Sequence, residues 1–285
     1  MPEEDIKRGG DTVYRVLSQD FYATDFHSEE LGIKQQEEWR SKSRQFTSDS
    51  EIVGKVEVAQ RSGPSEPMPD LEKNGFMVMR KSPWYEAEND LSRRLVMKFF
   101  TDSGTWYATV EEMLADEYAR SFSSEMPLLT LAVLTDENEI LTYIRQNRRG
   151  ALDTESYSFF LVGNDGQFQV FRIEGKRATM GDDFRVVMGT GDVTVAEIDS
   201  RVANIGGESR VEVRDVILAD NDWFCRILQA FSASIKHRQD IWKKIAKGLK
   251  AMEKKKATPL QHRFEVSLLA NPRRLTLDRD EFDEV

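Results

Sequence analysis

Short apolar runs separated by turn residues recur along the middle of this chain. Most of these runs alternate apolar with polar side chains, which is the pattern of a strand that buries one face. The pattern predicts strands at 52–58, 76–80, 95–100, 105–109, 128–134, 139–144 and 157–162, with one helix at 110–120 between them. The chain is therefore predicted to be mainly β.

One segment, residues 221–237, has the length of a helix and is apolar over most of its surface. Between Trp223 and Ile235 its only long polar side chains are Arg226 and Gln229. A helix this apolar needs burial on more than one side. Because strands precede it, the pattern predicts a sheet that wraps around this helix.

Residues 128–214 contain three similar units, each with a turn, a strand that ends in isoleucine, a cationic cluster and a second apolar strand. The isoleucines are Ile144, Ile173 and Ile198. One hairpin cannot bury its own apolar face, so the units must close on one another or on something central. Equivalent positions would then gather the cations on one side of a barrel. These cations are Arg145, Arg148, Arg149, Lys176, Arg177 and Arg201.

The stretch from 157 to 237 also carries family-like motifs. They are QFQVFRIEGK at 167–176, GDDFRV at 181–186, VAEI at 195–198 and SRVEV at 209–213, followed by the acidic turn at 220–222 that opens the apolar helix. These motifs resemble the tubby C-terminal-like superfamily, which includes the LURP-one-related proteins and the phospholipid scramblases. The resemblance implies a closed antiparallel β-barrel of about twelve strands around a central hydrophobic helix. Residues 75–156 agree with it by strand pattern alone.

The proline-rich segment 63–69 is the best internal boundary, because its prolines exclude regular structure. We expect an acidic polar arm and linker at 1–70, the barrel with its central helix at 71–237, and a basic amphipathic helix with an acidic tail at 238–285. A short helix at 31–44 is predicted within the arm.

Composition narrows the class of protein. A formal net charge of −10 argues against a general nucleic-acid binder. The single cysteine excludes an internal disulfide and a cysteine-cluster metal site. No apolar segment suits a signal peptide or a transmembrane helix. We therefore expect a cytoplasmic protein. Peripheral attachment to a membrane is compatible with this location.

No sequence motif indicates a particular catalysed reaction. His27, His237 and His262 are scattered, and none has the spacing of paired metal ligands. Cys225 lies among apolar residues, which favours packing over nucleophilic chemistry. The glycines at 189–191 precede a strand-like segment, so they predict a hairpin turn rather than a dinucleotide site. We expect no cofactor, no metal site and no enzymatic activity.

The six cations that border the isoleucines form one candidate site. If they converge, they would bind an anionic head group, since arginine can hold two phosphate oxygens at once. Tubby proteins bind phosphoinositides in a basic pocket on the barrel, but individual ligand residues of that pocket find no match here. The alternative is that the cations pair with carboxylates such as Glu155, Glu174 and Asp199 at a solvated rim.

Residues 240–256 predict a basic amphipathic helix. The wider segment 236–256 carries nine lysines and arginines against two acids. Such a helix is typical of a membrane-surface anchor or a partner-docking helix. The alternative is a helix that packs on the barrel with its lysines in water. The candidate docking residues are Trp242, Lys243, Lys244, Lys247 and Lys250.

Together these features favour a non-enzymatic binding module for an anionic membrane lipid head group, phosphoinositide-like, or for a protein partner. The alternative is a structural subunit of a larger assembly, with termini that order on neighbours. Scramblase activity is not expected, because the chain has one cysteine and no membrane-length apolar segment after the barrel.

The tail at 278–285 is acidic and could shield the lysines of the basic helix. We expect deletion of residues 278–285 to strengthen binding to anionic vesicles at low salt, where electrostatic attraction is least screened. Co-sedimentation with the vesicles measures the change. Equal binding before and after the deletion would argue against the shield.

Overall fold

Twelve strands and five helices make up the part of the chain that the computed structural model describes, namely residues 10–21, 40, 43–88, 91–135, 141–147, 154–162, 168–176, 183–189, 191–201 and 207–254. The strands are β1 Arg15–Phe21, β2 Ser50–Gln60, β3 Glu72–Arg80, β4 Val96–Thr101, β5 Trp106–Glu112, β6 Thr130–Thr135, β7 Leu141–Gln146, β8 Ser156–Val162, β9 Phe168–Gly175, β10 Phe184–Met188, β11 Thr194–Arg201 and β12 Glu208–Val213. The helices are α1 Lys81–Trp84, α2 Leu114–Ser124, α3 Val216–Ala219, α4 Asp222–Ile235 and α5 Arg238–Glu253.

The strands form one closed antiparallel sheet. Each strand pairs with the strand before it, and β12 returns to pair with β1. Leu17 in β1, for example, lies opposite Val211 on one side and Val58 on the other. A closed sheet leaves no unpaired edge. The predicted closed barrel of about twelve antiparallel strands is thereby confirmed.

The barrel has two distinct ends, which we name after the first strand. Because neighbouring strands run in opposite directions, odd-numbered strands begin and even-numbered strands end at the Arg15 rim. Odd-numbered strands end and even-numbered strands begin at the opposite end, the Phe21 rim. Every loop and helix between strands therefore belongs to one rim or the other.

Strand β8 shows how the sequence divides the two faces of the sheet. Tyr157, Phe159 and Leu161 are buried, whereas Ser158 is only partly buried and Val162 is exposed. This alternation is what a half-buried strand requires, since successive side chains point to opposite faces. The buried residues of β8 belong to the same apolar cluster as those of helix α4.

Helix α4 begins at a side-chain cap. The Phe224 N–H donates to Asn221 Oδ1 at 3.0 Å, which satisfies one of the free donors at the helix start. From Phe224 to Ile235 every residue except Arg226 is buried. The helix runs from the Arg15 rim, where Arg15 pairs with Asp222 at 2.8 Å, towards the Phe21 rim.

Aromatic rings form much of the contact between α4 and the strands. The ring of Phe231 lies 4.9 Å from that of Tyr157 in β8 and 5.5 Å from that of Phe184 in β10. The ring of Phe224 lies 5.0 Å from that of Phe171 in β9. The helix also contacts β1, β5, β6 and β12. Contacts on so many strands stabilise the closed sheet from within.

Polar side chains of α4 find partners on the strands. Gln229 Nε2 donates to Tyr107 Oη at 2.7 Å, and Gln19 Nε2 donates to the Gln229 carbonyl at 2.7 Å. Ser232 forms a hydrogen bond with Ser209. These bonds lower the cost of burying polar groups in the core.

Cys225 is buried in α4, as expected for a packing residue. Its thiol approaches the Leu218 carbonyl at 3.6 Å. Burial raises the pKa of the thiol to about 12, which keeps it protonated and unreactive.

The predicted arm differs from the structure. Strands β1 and β2, which close the barrel, both lie within residues 1–70. Strand β1 was missed because it buries Ser18 and Gln19 as well as Val16 and Leu17, so it shows no clean alternation. In the described part of the chain, the barrel therefore starts at Arg15 and not after residue 70.

Of two further predicted helices, one starts later than predicted and the other lies almost entirely outside the described residues. The helix predicted at 110–120 is wrong at its start, because β5 continues to Glu112 and α2 begins at Leu114. The helix predicted at 31–44 lies almost entirely outside the described residues. Among the described helices, none is long and apolar enough to cross a membrane.

Candidate functional site

Helix α5 covers part of the Phe21 rim. It follows α4 after a short turn at Lys236 and His237, and it packs against α2. Ile241, Ile245 and Gly248 are buried in this contact. The predicted alternative, in which this amphipathic helix packs on the barrel, matches the observed position of α5.

Gly248 allows α2 and α5 to approach closely. A Cβ atom at this position would lie 2.3 Å from Tyr118 Oη and 2.6 Å from Leu91 Cδ2. Both distances are too short for non-bonded atoms, so any larger residue would push the neighbouring side chains away. The glycine is therefore a packing requirement in the middle of a helix.

A buried ion pair joins α5 to the barrel. The Lys244 ammonium pairs with Glu112 at the end of β5 and donates to the Arg93 carbonyl at 2.9 Å. The second oxygen of Glu112 accepts from the Leu95 N–H at 2.9 Å. The prediction of Lys244 as a surface docking residue is therefore corrected, because its charge is held inside the protein.

Glu117 of α2 lies beside this pair. It is fully buried, and its Oε1 accepts from the Thr130 N–H at 2.9 Å. Burial, and then the charge of Glu112, raise the pKa of Glu117 well above its ordinary value. The neutral acid is favoured, which leaves Lys244 opposite one charged carboxylate rather than two.

A second polar link holds the start of α5. Arg238 pairs with Glu155 at 3.1 Å, and its guanidinium lies 5.1 Å from the centre of the Trp242 ring. Trp242 is half-buried, and its Nε1 donates to Gln146 Oε1 at 2.9 Å. Trp242 thus belongs to the contact with the rim and is not a free anchor in this arrangement.

The outward side of α5 is cationic. Lys243, Lys247, Lys250 and Lys254 are exposed and follow one another at intervals of four, three and four residues. This spacing places them on one face of the helix. We call these four residues the lysine stripe. Three of them, Lys243, Lys247 and Lys250, are among the predicted docking residues, and Lys243 also pairs with Asp240 at 3.6 Å.

The predicted anion site lies at the same rim but is largely neutralised where it is described. Arg145 pairs with Asp116 at 3.2 Å, and Lys176 pairs with Glu197 at 3.0 Å. Arg201 ends β11 opposite Glu208 of β12. The Arg145 and Lys176 ion pairs favour the alternative of cations balanced at a solvated rim. The remaining members, Arg148, Arg149 and Arg177, lie outside the described residues.

Two of the expected carboxylates, Glu155 and Glu174, pair with cations outside the predicted set. Glu155 pairs with Arg238, and Glu174 pairs with Arg185 at 2.8 Å and with Arg172 at 3.5 Å. Sequence patterns did not identify the Arg185–Glu174 and Arg238–Glu155 pairs, because strand register joins the first pair and the second links distant parts of the chain.

An exposed apolar face on the β8–β9 hairpin was also missed. Phe160 lies opposite Val170 and Val162 opposite Phe168 on the outside of the barrel. Phe168 is 70% exposed, and its ring lies 5.7 Å from that of Phe160. The signal was present in the sequence, because the end of β8 is apolar on both faces.

The described part of the chain contains no cluster of metal-binding side chains. No group of three or more histidine, cysteine, aspartate or glutamate side chains there is placed to hold a metal ion. His237 is the one histidine within the described ranges, and its ring lies 5.6 Å from that of Trp84.

Comparison with known proteins gives no identification. No family model matches the chain, and no curated protein or solved structure shows significant similarity to it. The resemblance to the tubby C-terminal-like superfamily therefore stays a prediction that rests on the motifs and strand pattern.

Burial lowers the pKa of His237 to about 4, with help from the charge of Lys236 and against the opposing charges of Asp240 and Glu112. The unfolded chain takes up this proton at its ordinary pKa of 6.5. We therefore expect the free energy of unfolding to fall by up to about 3 kcal/mol as the pH drops through this window. Urea unfolding at a series of pH values measures this change in the free energy of unfolding. His237→Gln should remove this part of the pH dependence, and parallel curves for both proteins would contradict it.

The Gly248→Ala substitution distinguishes a docked α5 from a free helix, because the two cases predict opposite signs for the change in stability. In a free helix, alanine would stabilise by about 1 kcal/mol through its helix propensity. In the observed contact it collides with Tyr118 and Leu91, so we expect destabilisation of about 1–3 kcal/mol. Urea unfolding measures the sign. Ala251→Gly is the matched control, and stabilisation by Gly248→Ala would show that the helix is not docked.

Proposed function

We propose that this protein is a non-enzymatic binding module that attaches to anionic membrane surfaces through the lysine stripe. The observation that carries the proposal is the docking of α5, which directs Ile241 and Ile245 inward and leaves four lysines on one exposed face. The lysine stripe supports the membrane version of the binding hypothesis better than the rim cations do, because its four lysines share one exposed face of a single helix, whereas Arg145 and Lys176 come from separate strand ends.

The affinity expected from the lysine stripe is modest. Each lysine near an anionic leaflet contributes about 1 kcal/mol, so four contribute about 4 kcal/mol, which alone corresponds to a Kd near the millimolar range. Attachment of this kind is reversible and weakens as salt screens the charges. The formal net charge of −10 supports an oriented approach, since other faces of the protein are repelled.

Head groups with several phosphates suit the lysine stripe best. Lysine acts as a compact point charge on a flexible stem and does not impose the planar geometry of arginine. The stripe should therefore respond to the charge density of the lipid rather than to the positions of its phosphates. Helix α4 packs among the inward side chains of the barrel, which supports a binding surface on the outside.

Co-sedimentation at low salt tests the proposal with vesicles of phosphatidylcholine alone and with added phosphatidylserine or phosphoinositide. We expect binding to the anionic vesicles only. Lys247→Gln with Lys250→Gln should weaken binding about thirty-fold, because two lysines supply about 2 kcal/mol.

The matched control removes two lysines elsewhere. Lys55 in β2 pairs with Glu57 at 3.0 Å and Lys73 in β3 pairs with Asp102 at 2.7 Å, and neither belongs to the lysine stripe. Lys55→Gln with Lys73→Gln changes the net charge equally but should leave vesicle binding nearly unchanged. Equal loss in both double variants would show that net charge, not the lysine stripe, determines binding. No binding to any vesicle would overturn the proposal.

A further inference from the structure

Several polar contacts lie between α5 and the Phe21 rim. The buried Lys244–Glu112 pair, the Arg238–Glu155 pair and the hydrogen bond from Trp242 to Gln146 all lie in this contact. A buried ion pair gains little net stability, because removing both charges from water offsets most of their attraction. The attachment is therefore weaker than an apolar helix contact of the same size.

The contact also contains a polar atom that is buried without a hydrogen-bond partner, namely Nε2 of Gln146. This atom has lost its water without a replacement, which destabilises the attached arrangement. It would regain water if α5 left the rim.

The apolar face of α5 is only partly used by the rim. Ile241 and Ile245 are buried, but Trp242, Leu249 and Met252 are only partly buried. A bilayer interface would cover all five side chains, since an amphipathic helix lies in it with the whole apolar face immersed. Lys244 would then extend its ammonium to the head groups, as long lysine side chains do at membrane surfaces.

We propose that α5 is a releasable membrane anchor, which the lysine stripe first brings to an anionic surface and which then leaves the Phe21 rim to insert its apolar face into the bilayer. This inference rests on the proposed function, because the lysine stripe must first bring the helix to the membrane. The turn at Lys236 and His237 is the pivot, and α4 stays in the barrel.

An environment-sensitive dye on α5 tests the release. Met252→Cys places the dye on the apolar face, and Glu253→Cys places it on the exposed side as the matched control. Cys225 does not compete for the label, since it is buried and its thiol pKa is raised to about 12. With phosphatidylserine vesicles we expect a blue shift and a rise in intensity at position 252 but not at 253.

Two variants that loosen the attachment sharpen the test. Glu112→Gln leaves Lys244 without its carboxylate, and Gly248→Ala disturbs the contact with Tyr118 while favouring the helix. Both keep the lysine stripe, and each should lower the lipid concentration at half-maximal dye response several-fold. An unchanged midpoint in both variants would overturn the release step.

The outcomes separate the two proposals. Sedimentation with anionic vesicles but no dye response at position 252 overturns the releasable anchor and leaves attachment through the lysine stripe standing. Absence of sedimentation at low salt overturns both. A response at 252 that also occurs with phosphatidylcholine alone overturns the role of the lysine stripe as the first contact.

Discussion

The packing of α4 among the inward side chains of the barrel is the interaction on which the rest of the structure depends. A closed sheet satisfies its own backbone groups but leaves a column of apolar side chains that must meet other apolar surface. A helix suits that position because its backbone groups also bond to one another. Phe224 and Phe231 meet aromatic rings of the strands, while Gln229 bonds to Tyr107. New contacts with a ligand are therefore most readily made on the rims and the outer faces.

The sequence predicted those parts of the fold whose signals are local. Strand β8 shows alternating burial, and the apolar content of 221–237 marks α4 without reference to any other segment. Strand β1 could not be recognised in this way, because the buried Ser18 and Gln19 read as solvent-facing residues. Gln19 is buried because the Gln229 carbonyl accepts its amide, and that partner is not visible from its sequence neighbours.

In the candidate site, local sequence was equally unable to predict which charged side chains are buried or paired. The lysines of α5 have nearly the same local sequence context, so composition assigns them one role. Lys244 alone is buried, because Glu112 lies 132 positions away in the chain but adjacent in space. Among the rim cations, strand order correctly predicted a shared end of the barrel for Arg145 and Lys176. It could not predict that carboxylates of α2 and β11 neutralise them.

The closure of β1 against β12 also determines when this protein can fold. The bond between Gln19 and Gln229 joins positions 210 apart, so the N-terminal strand is synthesised long before its last partners. Contacts of such long range slow folding, since the intervening chain must be ordered first. Until β12 and α4 emerge from the ribosome, the first strands have an open edge and an uncovered apolar face, both prone to aggregation. Residues 208–235 thus complete the barrel in time as well as in space, and a nascent chain interrupted before β12 would lack both its seam and its core.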